Sequence, residues 1–136
     1  GFGHSLSRCA VRGLRLSGAQ PGWAAWLPSA FEVMDAASPA LAGHPFEVVM
    51  CRHLLRTLPE PAHVLARWRQ LLAPTGRVIL IEGFWMPGAG LKAEAVIEML
   101  AGRFVVVAHV PLSDNSLLWG TVVPDERYTL NAMAGR

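Results

Sequence analysis

Residues 46–85 read FEVVMCRHLLRTLPEPAHVLARWRQLLAPTGRVILIEGFW. Two apolar runs, FEVVM (46–50) and RVILIEGFW (77–85), flank a segment with a different period. In that segment Val64, Leu65, Trp68, Leu71 and Leu72 fall at i, i+1, i+4, i+7 and i+8, which is one face of a helix. Pro61 suits the first turn, where a missing N–H costs nothing, and Pro74 with Gly76 stops the helix. Strand, helix, strand is the signature of a parallel crossover unit. Strands apolar at every position are those covered on both faces, as in a parallel sheet between helix layers.

Outward from this block the alternation continues. LKAEAVIEMLAG (91–102) predicts a helix with Leu91, Ala95, Met99 and Leu100 inward, stopped by Gly102. FVVVAHV (104–110) and DERYTLNAM (125–133) predict two strands. No helix-length periodic segment separates them, so they are expected to pair antiparallel at the sheet edge. Upstream, AVRGLRLS (10–17) and AFEVMDA (30–36) predict two more strands, joined by a short helix around Ala19–Leu27 that packs Trp23 and Trp26 under the sheet. The succession predicts an α/β fold in one domain over residues 1–136: a doubly wound, mostly parallel sheet with antiparallel C-terminal strands.

Composition narrows the function classes. The chain is 52% hydrophobic and 16% charged, which fits a buried core and argues against disorder. A net charge of +2 is too small for an electrostatic nucleic-acid surface. Cys9 and Cys51 form no framework, which points to a reducing, cytoplasmic setting. No apolar run approaches the ~18 residues of a membrane span, and no signal-peptide pattern opens the chain. The histidines have no metal-ligand spacing with one another or with cysteine, so no metal is expected. The first residue is Gly rather than Met, and the chain reads as an N-terminally incomplete piece.

In open parallel sheets ligands lie beyond the carboxyl ends of the strands. Here those ends carry Arg15-Leu16-Ser17, Asp35-Ala36-Ala37, Cys51-Arg52-His53 and Glu82-Gly83-Phe84-Trp85, and at Cys51-Arg52-His53 an ordinary surface turn would show Gly, Asn or Asp instead. With these residues in view, the 46–85 block resembles the central part of class I S-adenosylmethionine-dependent methyltransferases of the small-molecule type. Its Leu-Pro-x-Pro helix start and Leu-Leu-x-Pro-x-Gly turn carry that resemblance. LWGTVVPDERYTL is similar to the closing antiparallel strands of one bacterial branch, and FEVMDAASP to the strand bearing the adenine-contacting Asp.

The resemblance implies S-adenosylmethionine as cofactor and a small-molecule methyl acceptor, with neither nucleic acid nor membrane as partner. It implies cofactor contacts from Gly1, Gly3, Asp35, Ala36, Cys51 and Arg52, with His53 and Trp85 toward the acceptor. No triad or carboxylate pair stands out, which suits a reaction that needs mainly alignment of donor and acceptor. Each residue also has a structural reading. Asp35 could cap the turn that follows, Cys51 and Trp85 could be core, and His53 could be hydrogen-bonded without a chemical role.

Two features depart from the family pattern. The glycine-rich turn is reduced to Gly1-Phe2-Gly3 with no strand before it, and glycines matter there because side chains block close approach of the backbone. Arg15 stands where the family carries an acid for the ribose hydroxyls, and a guanidinium only donates. A degenerate domain acting as a partner or structural module is therefore the second expectation. In this fold the first strand would lie between the second and fourth, so its absence predicts two half-sheets. A nicotinamide-dependent reductase of the short-chain type is a minor alternative: Tyr128 is followed four residues later by Ala132, not Lys. The Asn/Asp-Pro-Pro-Tyr/Phe motif of nucleic-acid methyltransferases is absent, and CRHL stands in its place.

Overall fold

The computed structural model describes residues 8–13, 30–41, 45–85 and 88–135, with side chains from Met34 onward. They group into two compact units, 1–40 and 41–136. Gly1, Gly3, Arg15, Trp23, Trp26 and the helix expected at 19–27 lie outside the described residues.

The first unit holds β1 (Arg8–Gly13) and β2 (Ala30–Asp35), paired antiparallel from Arg8↔Asp35 to Gly13↔Ala30. The sequence predicted a strand at 10–17 running parallel to its neighbour. The observed strand starts and ends earlier, and it runs the other way. The connection over residues 14–29 is long enough for a crossover or a wide hairpin, so its length leaves the direction open.

The second unit carries β3 (Phe46–Arg52), α1 (Pro61–Leu71), β4 (Leu72–Trp85), β5 (Ala89–Gly90), α2 (Ala93–Leu100), β6 (Phe104–Pro111), α3 (Ser116–Trp119) and β7 (Glu126–Ala134). The strand order is β3-β4-β7-β6, with β5 added to β4. β3 and β4 are parallel, while β7 is antiparallel to both β4 and β6. Two reversals restore direction, so β3, β4 and β6 point the same way and β7 runs against them. The sheet is thus partly parallel and not mostly so. β3 and β4 pair parallel, whereas β5 and β7 run antiparallel to β4, and the closing strands β6 and β7 pair antiparallel, as expected. The β6–β7 pair closes one edge of the sheet, as expected, with β6 outermost and β7 between it and β4. The described strands form two sheets, one of β1 and β2 and one of the other five.

Register sorts the side chains. Val49, Val78 and Ala132 stand in one row and Cys51, Leu80 and Leu130 in another. Val78, Leu80, Leu130 and Ala132 are fully buried, as are Val64 and Leu65 of α1 and Val96 and Leu100 of α2. α1 and α2 touch each other, so both lie on this face. The opposite face carries Val48, Met50 and Val105, which are exposed. The all-apolar strands had predicted cover on both faces; among the described residues only one face is packed this deeply.

Helix boundaries follow local chemistry. α1 begins at Pro61, and its last turn closes when the Leu72 N–H bonds the Arg69 carbonyl. Leu72 then begins β4 and pairs with Phe46 instead of continuing the helix face. α2 buries Ala93, Val96 and Leu100, a stripe offset from the predicted Leu91, Ala95, Met99 and Leu100. The helix begins at Ala93, so Leu91 lies outside it, and the Ala93 N–H donates to Glu126 Oε1 of β7 at 3.0 Å. The single turn of α3 was not anticipated. Asn115 caps it, accepting from the Leu117 N–H at 3.1 Å. No helix among the described residues is long and apolar enough to cross a membrane.

Candidate cofactor and acceptor site

The parallel pairing of β3 with β4 sets their carboxyl ends side by side, with Cys51 opposite Leu80 and Arg52 opposite Ile81. Alternation then splits the polar trio. Cys51 is buried on the helix face, whereas Arg52 is exposed on the other. His53 leaves the strand with φ of 53°, a left-handed conformation uncommon outside glycine. Its N–H still bonds the Ile81 carbonyl at 2.8 Å. The chain then folds into a 3-10 turn over Leu55–Thr57, in which Thr57 Oγ1 donates to the Leu54 carbonyl at 2.7 Å. Leu55 and Leu58 are buried beneath the turn. Apolar side chains thus anchor it from below while Arg52 and His53 stay at the edge.

Glu82 comes next on the buried face after Val78 and Leu80, and it is 1% exposed. Its Oε1 accepts the Leu55 N–H at 2.9 Å and faces the Cys51 thiol at 3.9 Å. Burial pushes its carboxyl above the ordinary range; the Leu55 and Leu54 amides, Arg56 and Cys51 oppose that rise. His53 is held below its usual value, first by burial and then by Arg52, Arg56 and Arg127. Its ring meets Trp85 edge-on, with centroids 4.8 Å apart, and the Arg56 guanidinium lies 4.9 Å over the Trp85 ring. Among the described residues three buried side-chain atoms have no hydrogen-bond partner: His53 Nε2, Glu82 Oε2 and Asn131 Oδ1. Two of the three are at this corner.

Trp85 is fixed by absent side chains. Gly90, at φ of 109°, lies so close that a Cβ there would collide with the Gly83 carbonyl oxygen and the Trp85 ring. In the first unit, Asp35 ends β2 and its Oδ1 accepts the Ala37 N–H at 2.9 Å, so the turn-capping role is realised. Asp35 is exposed and Ala36 is 1% exposed. No group of three or more potential metal ligands occurs among the described residues.

A family model described as a methyltransferase domain matches residues 5–80, more than half of the chain. The chain belongs to the methyltransferase domain family. No protein of curated function matches it significantly. Among solved structures, this methyltransferase domain is similar to the N-methyltransferase NodS from Bradyrhizobium japonicum WM9 in complex with S-adenosyl-L-homocysteine. The two are 18% identical with a TM-score of 0.57, over 76% of this chain and 53% of that one. It is also similar to magnesium protoporphyrin IX methyltransferase (ChlM) from Synechocystis PCC 6803 with bound SAM. There the identity is 19% and the TM-score 0.52, over 75% of this chain and 44% of that one. The methyltransferase domain thus spans about half the length of these structures, and the likeness is one of fold.

Of the residues singled out from sequence, His53 and Trp85 meet in the second unit, whereas the neighbouring Cys51 and Arg52 lie on opposite faces of the sheet. Asp35 and Ala36 belong to the first unit, and Gly1 and Gly3 lie outside the described residues. The Cys51 side chain faces Glu82 and not solvent. Glu82 was not among the expected site residues. Its signal was available: a charge at the third inward position of a strand otherwise apolar there.

Proposed function

We propose that the chain is a single, partial methyltransferase domain that binds S-adenosylmethionine at the carboxyl ends of its strands and methylates a small molecule. The observation that carries this reading is the corner where His53 Nε2 and Glu82 Oε2, both buried and unpartnered, flank the ends of the parallel pair β3–β4. Buried polar atoms without partners call for an explanation, and a hydrogen-bonding ligand supplies one. Asp35 fits an adenine amino group, since a carboxylate that accepts one N–H retains capacity for more.

Bound S-adenosylmethionine would supply an electrophilic methyl group on a sulfonium. The chain's own part is to align and to handle a proton. Arg52 and the Cys51 main chain flank the methionine portion, and Trp85 walls the acceptor side. His53, kept neutral by burial and the nearby arginines, can take the proton that an acceptor O–H or N–H gives up as its lone pair attacks. A small acceptor accords with one similar enzyme being named for magnesium protoporphyrin IX.

The second reading, a degenerate domain that binds the cofactor weakly, is favoured by Arg15 in place of an acid. Calorimetric titration of the folded chain with S-adenosylmethionine tests both. The first expects saturable binding that weakens about tenfold in Asp35→Ala, the loss of one charge-assisted hydrogen bond. The second expects weak binding that Arg15→Asp improves by tens-fold. A folded sample in which neither the chain nor Arg15→Asp binds overturns the cofactor assignment.

A further inference from the structure

We infer that Glu82 is a positioning residue: its buried carboxyl holds the Cys51–Leu55 turn so that His53 is presented at the corner beside Trp85. The inference rests on the reading that His53 faces the acceptor.

Three links tie this turn to two consecutive residues of β4. The His53 N–H bonds the Ile81 carbonyl at 2.8 Å. The Leu55 N–H bonds Glu82 Oε1 at 2.9 Å, and the Cys51 thiol faces the same oxygen at 3.9 Å. Between the attached residues sits His53 at φ of 53°. A side chain bearing a Cβ persists in that region only where its surroundings over-determine it. The backbone link to Ile81 fixes where His53 begins. The Glu82 carboxyl fixes where the chain must be two residues later. Together they leave the intervening residue little but the left-handed conformation.

Glu82 occupies a position where alternation with Val78 and Leu80 calls for an aliphatic side chain. An aliphatic residue would pack there but would leave the buried Leu55 N–H without an acceptor. Three residues further on, the same strand supplies Trp85, whose ring meets the imidazole at 4.8 Å. One strand therefore carries both the anchor of the turn and the surface against which His53 rests.

Proton NMR of the full chain provides a readout that general destabilisation does not move. The His53 imidazole resonance, assigned by its loss in His53→Gln, carries the ring-current shift of Trp85. Glu82→Gln keeps an acceptor oxygen for Leu55 and is expected to leave that resonance in place. Glu82→Leu is expected to move it toward the position of the exposed His63 ring. An unmoved resonance in folded Glu82→Leu, or equal displacement in both variants, overturns the inference. Should Glu82→Leu fail to fold, Glu82→Asp decides, because its carboxyl is one methylene too short: displacement supports the inference and an unmoved line overturns it. Titration of the unaltered chain with S-adenosylmethionine runs alongside. Absence of binding sinks the functional reading while the His53 result still stands.

Discussion

A carboxyl at the third inward position of β4 changes how the protein responds to pH. The unfolded Glu82 titrates near 4.5, and burial raises the folded value, with Cys51, Arg56 and Tyr128 the titratable or charged groups around it. Between the two values the folded chain holds a proton that the unfolded chain has lost. Stability from this group is therefore greatest below about pH 4.5 and falls as pH rises through the folded value. His53 contributes with the opposite sign. Its folded pKa lies below 6.5, so its contribution is complete above 6.5 and is lost as pH falls toward the folded value. Glu82→Gln is expected to remove the first slope and leave the second. Denaturant midpoints measured from pH 4 to 8 would show it, and an unchanged profile would mean that Glu82 is ionised in the folded state. Sequence reading set His53 and Trp85 at the ends of adjacent parallel strands, and their rings meet there at 4.8 Å. It named Glu82 at the carboxyl end of its strand but gave it no contact, because only the side-chain alternation with Val78 and Leu80 shows that it points inward.

At the scale of elements, the more legible helix was the one marked at its start. α1 had an apolar stripe and a proline at its start. Its start and its buried Val64, Leu65 and Trp68 agree with the sequence, whereas Leu72, Pro74 and Gly76, read as its end, belong to β4. α2 had a stripe and a stop at Gly102 but no mark at its start, and the face read from the sequence is not the one that is buried. The α3 turn depends on Asn115 and on a loop frame in which Arg127 pairs with Asp125 at 2.8 Å and stacks 4.3 Å over Trp119. No periodicity announces such a frame. β5 is just two residues long, yet it brings Gly90 flat against Trp85. Gly90→Ala combines an unfavourable positive φ with a collision against backbone and ring, and should cost about 1–3 kcal/mol. Thermal or denaturant unfolding measures this, and a wild-type midpoint would show that the β4–β5 hairpin yields freely.

For the molecule as a whole, the sequence foresaw the antiparallel pairing of β6 with β7 but not that of β1 with β2. Directional preference in a two-stranded sheet comes from how the connection closes, and apolar runs carry no record of that. The order β3-β4-β7-β6 has another consequence, which concerns synthesis. β7 is the last described strand to leave the ribosome, yet it fills the gap between β4 and β6 and supplies the cap of α2. Until residues 126–134 emerge, β4 and β6 each show an unpaired edge, and the Ala93 N–H lacks its carboxylate. The second unit is therefore expected to close after translation of its last strand and not progressively. Chains stopped at residue 124 should be digested rapidly by protease and should show no cooperative unfolding. If such chains resist digestion as the full chain does, β3, β4 and α1 form a stable nucleus by themselves. Otherwise the growing chain needs a chaperone, or the shelter of the exit tunnel, for as long as β4 waits for its partner.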